Sequence, residues 1–330
     1  MAAGAVAATA AAAASTTSGV DASARVAASQ AQAQAEPPPS EDPRTKRCFG
    51  AASRDPERPC HNRALRYTVV PTPEEASQQK HYPCTPLERQ QELFACAFGA
   101  PERESVKTIA LIGDSHAGHW RAALDHVAAQ RRWYAISLTQ TGCPMTTRIP
   151  ILQGELRENC RRWNEQLIPW LERNPDVSEI YVSQHGGKVA TERGEDQAEA
   201  QIEGFIGAFE RLPPTVKRVV VIRGSAWSAG TVPKCIEKAL AERRRADRRC
   251  ALPRKRSLKR DTQAEAARRM KSKKVKLVNL TPFFCGREKC FPVVGGALVH
   301  KDGGHLTQVF SATLGPYLGR AVDRLPPVGS

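Results

Sequence analysis

Three side chains far apart in the sequence have the types and settings of a proton relay: Ser115, Asp302 and His305. A serine hydroxyl is a weak nucleophile until a base takes its proton, and a histidine serves as that base when its other ring nitrogen is held. Asp302 and His305 stand three apart in the run KDGGHL at 301–306, just before a helical pattern of Leu306, Val309, Phe310 and Leu314. An aspartate there can hold the Nδ1–H of His305 and leave Nε2 free for the proton of Ser115. The chemistry this predicts is acyl transfer through a serine ester, in the chain order Ser, Asp, His. Each half also has a plain structural reading. Asp114-Ser115 can be an ordinary helix cap, and an Asp-x-x-His pair is common. Only together do they point to catalysis.

The elements that would position these groups are legible around them. In the run VKTIALIGDSHAGHW at 106–120, Ile109, Ala110, Leu111 and Ile112 read as a buried parallel strand ending at Gly113. Residues 117–130 read as a helix, with Trp120, Leu124 and Val127 at helical spacing. The Ser115 Oγ would then project from the sheet edge, with its own N–H and a helix N-terminus facing a developing oxyanion. Strands are predicted at 108–112, 133–138, 180–184, 219–222 and 275–280, with helices at 120–130, 160–172, 199–212 and 262–270. This alternation predicts an α/β fold, a three-layer doubly wound parallel sheet of about five strands. Ligands bind beyond the carboxyl ends of such strands. Thr141-Gly142-Cys143 after the second strand and Gln184-His185-Gly186-Gly187 after the third should therefore meet Ser115 in one crevice.

Composition narrows the setting. The 330 residues carry a formal net charge of +15, which favours anionic partners. The ten cysteines fall in neighbouring couples without CxxC zinc spacing: Cys48/Cys60, Cys84/Cys96, Cys143/Cys160, Cys235/Cys250 and Cys285/Cys290. Sequential disulfides, and so an oxidising compartment, are the simpler account; ten reduced thiols in a cytosolic enzyme are the alternative. Residues 1–43 are an Ala-rich low-complexity stretch and Pro-rich linker, predicted to hold no packed fold. Residues 44–104 read as a cysteine-containing, mostly irregular lead-in packed on the main domain at 105–330. The segment 241–276 is densely basic, yet no aromatic lies within it, which argues against nucleic acid as the partner. A solvated basic face is its plain reading, and attraction to an anionic envelope polymer or lipid the functional one.

Gly-Asp-Ser-His after the first strand, Asp-x-x-His-Leu-Thr near the C-terminus and the run NLTPFFCGREKC at 279–290 together resemble the SGNH hydrolase superfamily. The closer likeness is to the extracytoplasmic SGNH domain of membrane acyltransferase-three (OafA-like) O-acetyltransferases, and it extends from about Cys48 to the end of the chain. The resemblance implies a serine enzyme outside the cytoplasm that passes acetyl to a sugar hydroxyl of an envelope polysaccharide. A membrane acyltransferase domain or subunit would supply the acetyl group, residues 1 to about 36 would be the remnant of a membrane domain that relatives carry upstream, and such an upstream domain could tether the chain to the membrane. It also implies an oxyanion hole of the Ser115 N–H, a glycine N–H at Gly142 and a third-block side chain. No Gly-x-Asn-Asp occurs here, and Gln184 stands in that region. An acetyl-esterase using the same triad and a non-catalytic binding module on the same scaffold remain as alternatives.

Neither a cofactor nor a metal is expected. His116 and His119, considered with Asp302 and His305, lack a metal-ligand spacing, and His116 reads as a pocket-shaping residue. Trp133, Trp163 and Trp170 read as packing residues, with sugar stacking as the alternative. His300 and Lys301 read as a solvated loop, from which Lys301 could steer an acidic substrate.

Overall fold

A computed structural model describes residues 42–87 and 93–327. Most of the low-complexity stretch, residues 1–41, thus lies outside the described residues. Seven strands form one sheet: β1 (Thr85–Pro86), β2 (Cys96–Gly99), β3 (Lys107–Gly113), β4 (Trp133–Thr139), β5 (Val177–Ser183), β6 (Arg218–Ile222) and β7 (Val275–Val278). Their order across the sheet is β1-β2-β4-β3-β5-β6-β7. The five strands from β3 to β7 are parallel, as the alternating pattern predicts. Two strands were not foreseen. β1 and β2 come from the lead-in and add an antiparallel edge beside β4, stapled by Cys84–Cys96. At two and four residues they are too short to carry a period.

β3 shows why its run is apolar throughout. Ile109, Ala110, Leu111 and Ile112 are all fully buried, and alternate side chains enter opposite layers. Ile109 and Leu111 join Trp120, Leu124 and Val127 of the helix Arg121–Arg131 and its cap, and Phe310, Leu314 and Leu318 of Gln308–Asp323. Ala110 and Ile112 join Trp163 and Trp170 of Gly154–Arg173 and Phe205 and Phe209 of Gln197–Glu210. These two tryptophans are thus packing residues. In chain order we label the helices α1 (Ser115–Gly118), α2 (Arg121–Arg131), α3 (Gly154–Arg173), α4 (Gln197–Glu210), α5 (Val232–Ala241), α6 (Thr262–Arg269) and α7 (Gln308–Asp323).

Three details depart from the sequence reading. The helix expected across 117–130 is two, α1 and α2, broken at His119-Trp120. α3 begins six residues before Cys160, its solvated first turns held by Arg161 ion pairs to Glu158 and Glu165 rather than by apolar contacts. α5 was missed beside the basic run; it buries Val232, Ile236 and Ala239 in a small satellite core.

The ten cysteines form five disulfides, Cys48–Cys60, Cys84–Cys96, Cys143–Cys160, Cys235–Cys250 and Cys285–Cys290. The lead-in is further tied to the C-terminal helix. Arg320 of α7 grips Asp55 through both carboxylate oxygens at 2.9 and 2.6 Å, and the Ala51 N–H donates to Thr313 Oγ1. Among the described residues no helix is long and apolar enough to cross a membrane.

Candidate active site

The strand order reverses at β3, whose neighbours β4 and β5 are reached by connections running to opposite sides. A crevice opens at such a switch point, and Ser115 stands at it. The turn that delivers the serine needs the glycine before it. Gly113 has φ +141°, and a Cβ there would lie 2.2 Å from the Ser183 carbonyl oxygen on β5. Asp114 then caps α1. One carboxylate oxygen accepts from the His116 N–H and the other from the His185 N–H just beyond β5, both at 2.8 Å, so this side chain ties two strand tips together. Burial pushes its carboxyl up to about 6 despite those two donors.

The opposing side is the loop 299–307. It is pinned by Thr307, which donates to the Leu298 carbonyl and accepts from the Phe310 N–H as cap of α7. The loop after β6 supports it too, Ser225 Oγ donating to the Gly304 carbonyl and the Ser228 N–H to Gly303. Within the loop, Asp302 Oδ1 accepts from the backbone N–H groups of Gly304 and His305 at 2.8 Å each. Its Oδ2 lies 2.8 Å from His305 Nδ1, and His305 Nε2 lies 2.8 Å from Ser115 Oγ. Burial works against the Asp302 charge, but the His305 ring and the two N–H donors outweigh it and hold the carboxyl well below its usual range. The structure therefore brings Ser115, Asp302 and His305, 190 residues apart at the extremes, into one hydrogen-bonded line.

The other expected participants divide. The Gln140 N–H donates to the Gly113 carbonyl and sets the loop after β4 beside the serine turn. Gly142, at φ +70°, is exposed on that loop, and among the described residues neither its N–H nor that of Ser115 has a protein acceptor. Gln184 is a correction. Its Oε1 accepts from the Met145 N–H and its Nε2 donates to the Met145 carbonyl, so the amide holds the 143–147 loop instead of facing the serine. α1 is a single turn whose His116, Ala117 and Gly118 N–H groups all donate to Asp114, so what the helix N-terminus offers an oxyanion reduces to the Ser115 N–H.

His300 and Lys301 are also corrected. His300 turns its ring inward, Nε2 is enclosed without a partner, and burial pushes the imidazole down to about 4. Lys301 Nζ donates to the Gln79 carbonyl at 2.7 Å and so anchors the lead-in.

Histidines crowd the relay. The ring of His116 lies 4.8 Å from that of His305, 5.1 Å from His119 and 5.2 Å from His185, on which it stacks. His81, from the lead-in, meets His305 edge-on at 6.5 Å, and Trp227 packs on His185 at 4.8 Å. Among the described residues no group of three His, Cys, Asp or Glu side chains is arranged to hold a metal ion. Burial instead keeps the flanking rings neutral: His116 is pushed down to about 3 and His119 well below its usual value. A neutral shell spares a positive charge forming on His305 from repulsion. His81 and Trp227 were missed in sequence because each is alone in an irregular segment, with nothing local to tie it to the relay.

No curated protein matches the chain in sequence. A solved structure of the lipopolysaccharide acetyltransferase periplasmic domain of Salmonella ser. Paratyphi A has a similar fold. It superposes with a TM-score of 0.51 at 16% identity, covering 67% of this chain and 85% of that one. Residues 83–320, from just before β1 to the last turns of α7, match the SGNH domain family whose members are fused to AT3 domains. That span takes in both sides of the serine–histidine contact, and the chain belongs to this family.

Proposed function

We propose that this chain is an extracytoplasmic serine acyl-transfer enzyme that O-acetylates a cell-envelope polysaccharide through an acyl-enzyme on Ser115. The observation that carries the reading is the unbroken line from Ser115 Oγ through His305 to Asp302, with 2.8 Å at each contact. His305 Nε2 takes the serine proton as Oγ attacks the acyl carbonyl, while Asp302 stabilises the imidazolium from Nδ1. The Ser115 and Gly142 N–H groups are the free donors for the tetrahedral oxyanion. His305 then protonates the leaving group. In the second half a sugar hydroxyl gives its proton to Nε2 and attacks the acyl carbon; the acyl–Oγ bond breaks as Nε2 passes that proton to Oγ, which returns Ser115 and neutral His305.

Family membership supports a membrane acyltransferase as the source of acetyl. The printed name of the Salmonella structure supports an envelope glycan as acceptor and a periplasmic setting, and five disulfides agree with an oxidising compartment. One observation favours a second reading, an acetyl-esterase with the same residues: the Asp302 and His305 side chains are 47% and 26% exposed, so water reaches the relay. A non-catalytic binding module is favoured by the commitment of Gln184 elsewhere, since one missing oxyanion donor costs about 10²–10³ in rate.

The test is labelling by a fluorophosphonate probe, followed by turnover of an aryl acetate with and without oligosaccharides. The wild type should label and Ser115→Ala should not. Acetylated sugar among the products identifies transfer, and acetate alone identifies the esterase. A folded wild type that neither labels nor turns over leaves the binding module.

A further inference from the structure

We infer that a second site, an arginine-lined groove separate from the relay residues, binds an acidic glycan, a sugar chain carrying carboxylate or phosphate. Two cavities adjoin on the lead-in side, of about 500 Å³ and about 670 Å³, and both are lined by Ser53, Arg54 and His61. Arg63, Arg66 and Arg248 face the first, and Arg254 and Arg287 the second. Among the described residues none of these six arginines, Arg54 included, is in an ion pair. The two carboxylates in the lining are already engaged, Asp55 by Arg320 and Asp247 by Arg245.

Several arginines elsewhere are neutralised in place. Arg260 and Arg269 share Glu199 and Glu265, Arg161 holds Glu158 and Glu165, and Arg148 holds Glu195 and Glu203. The basic run after α5 is thus not one uniform patch: Arg245, Arg249, Arg260 and Arg269 are paired, and Arg248 and Arg254 turn to the groove. Arg54 marks the junction of the two cavities. Its Nε is buried without an acceptor and its guanidinium stacks 4.2 Å over the Phe291 ring. Such a donor set is costly unless an anion supplies the missing oxygens.

Guanidinium forks match planar carboxylates and phosphate oxygens. Tyr67, 44% exposed at the rim, offers a ring face for sugar stacking. The concave shape fits a chain better than a flat bilayer, and disulfide use sets the protein apart from nucleic acid. The inference concerns binding alone and does not depend on Ser115 acting, so it is tested on Ser115→Ala protein.

Anisotropy of a fluorescein-labelled oligogalacturonate, with a phosphomannan fragment in parallel, should report binding that a neutral maltooligosaccharide does not reproduce. Reversing the groove with Arg63→Glu, Arg66→Glu and Arg248→Glu should weaken it about a hundredfold. The same charge change at exposed positions outside the groove, Arg157→Glu, Arg211→Glu and Lys273→Glu, should cost less than about twofold. The lysine triple at 63, 66 and 248 keeps the charge and loses the forks, and should fall between them. Equal losses in the two reversal triples would reduce the groove to diffuse charge. Failure of both acidic glycans to bind, or capture by phosphatidylglycerol vesicles that neither glycan displaces, also overturns the inference.

Discussion

The two sides of the cleft present the same local device, an aspartate gripped by two backbone N–H groups, in opposite surroundings. On the serine side Asp114 is 2% exposed, bridges α1 to the tip of β5, and is pushed up to about 6 by burial. On the histidine side Asp302 is nearly half exposed, meets the His305 ring as well as its two N–H donors, and stays ionised. Hydrogen bonds alone therefore do not decide how readily a carboxylate carries charge; burial and an ionisable partner do. The serine side is a rigid mount that belongs to the sheet core, and the histidine side an electrostatic one that belongs to a loop.

That contrast breaks most readily at its rigid half. Gly113→Ala places a methyl against the Ser183 carbonyl at a φ that disfavours side chains. It should cost about 3 kcal/mol in urea unfolding and abolish probe labelling with it; an unchanged midpoint would mean the serine turn is not held by the sheet. The electrostatic half should respond in rate and not in fold. Asp302→Asn should lower aryl acetate turnover on the order of 10²-fold with little change in KM or unfolding midpoint. A loss of only a few fold would make Asp302 a loop brace.

The smallest effect sharpens the comparison through pH. A carboxyl with a raised folded pKa stabilises the protein fully below its unfolded value of 3.8, and this contribution is lost as pH rises through about 6. Relative to Asp114→Asn, the wild type should gain about 1 kcal/mol as pH falls from 7 to 5. The depressed histidines act in the other direction, losing stability as pH falls below 6.5, but they titrate in both proteins and cancel. A flat or reversed difference would show that Asp114 is not held against its charge.

Much of this arrangement was legible before folding. The run from Ile109 to Ile112 could only be a strand covered on both faces, and a serine just after it had to stand at a sheet edge. The Asp302–His305 spacing sufficed for their contact because it is local. Gln184 misled because its type suits an oxyanion donor and nothing nearby in sequence reveals Met145 as its partner. Lys301 misled for the same reason, its acceptor Gln79 lying on the lead-in. β1 and β2 were too short to stand out and form because neighbours complete them, whereas α5, with Val232, Ile236 and Ala239 on one face, was passed over beside the charge run.

What sequence alone determined here was short-range: the alternation of apolar runs, the cysteine couples, the end of the first core strand at Gly113 and the pairing of Asp302 with His305. Each follows from backbone geometry and hydrophobic period within a few residues. Whether His305 meets Ser115, which carboxylate is pushed toward its neutral form and which arginines are left unpaired were decided by the tertiary structure. Those outcomes depend on burial and on partners hundreds of residues away, and a side chain's charge and reach have no fixed meaning until the fold supplies both.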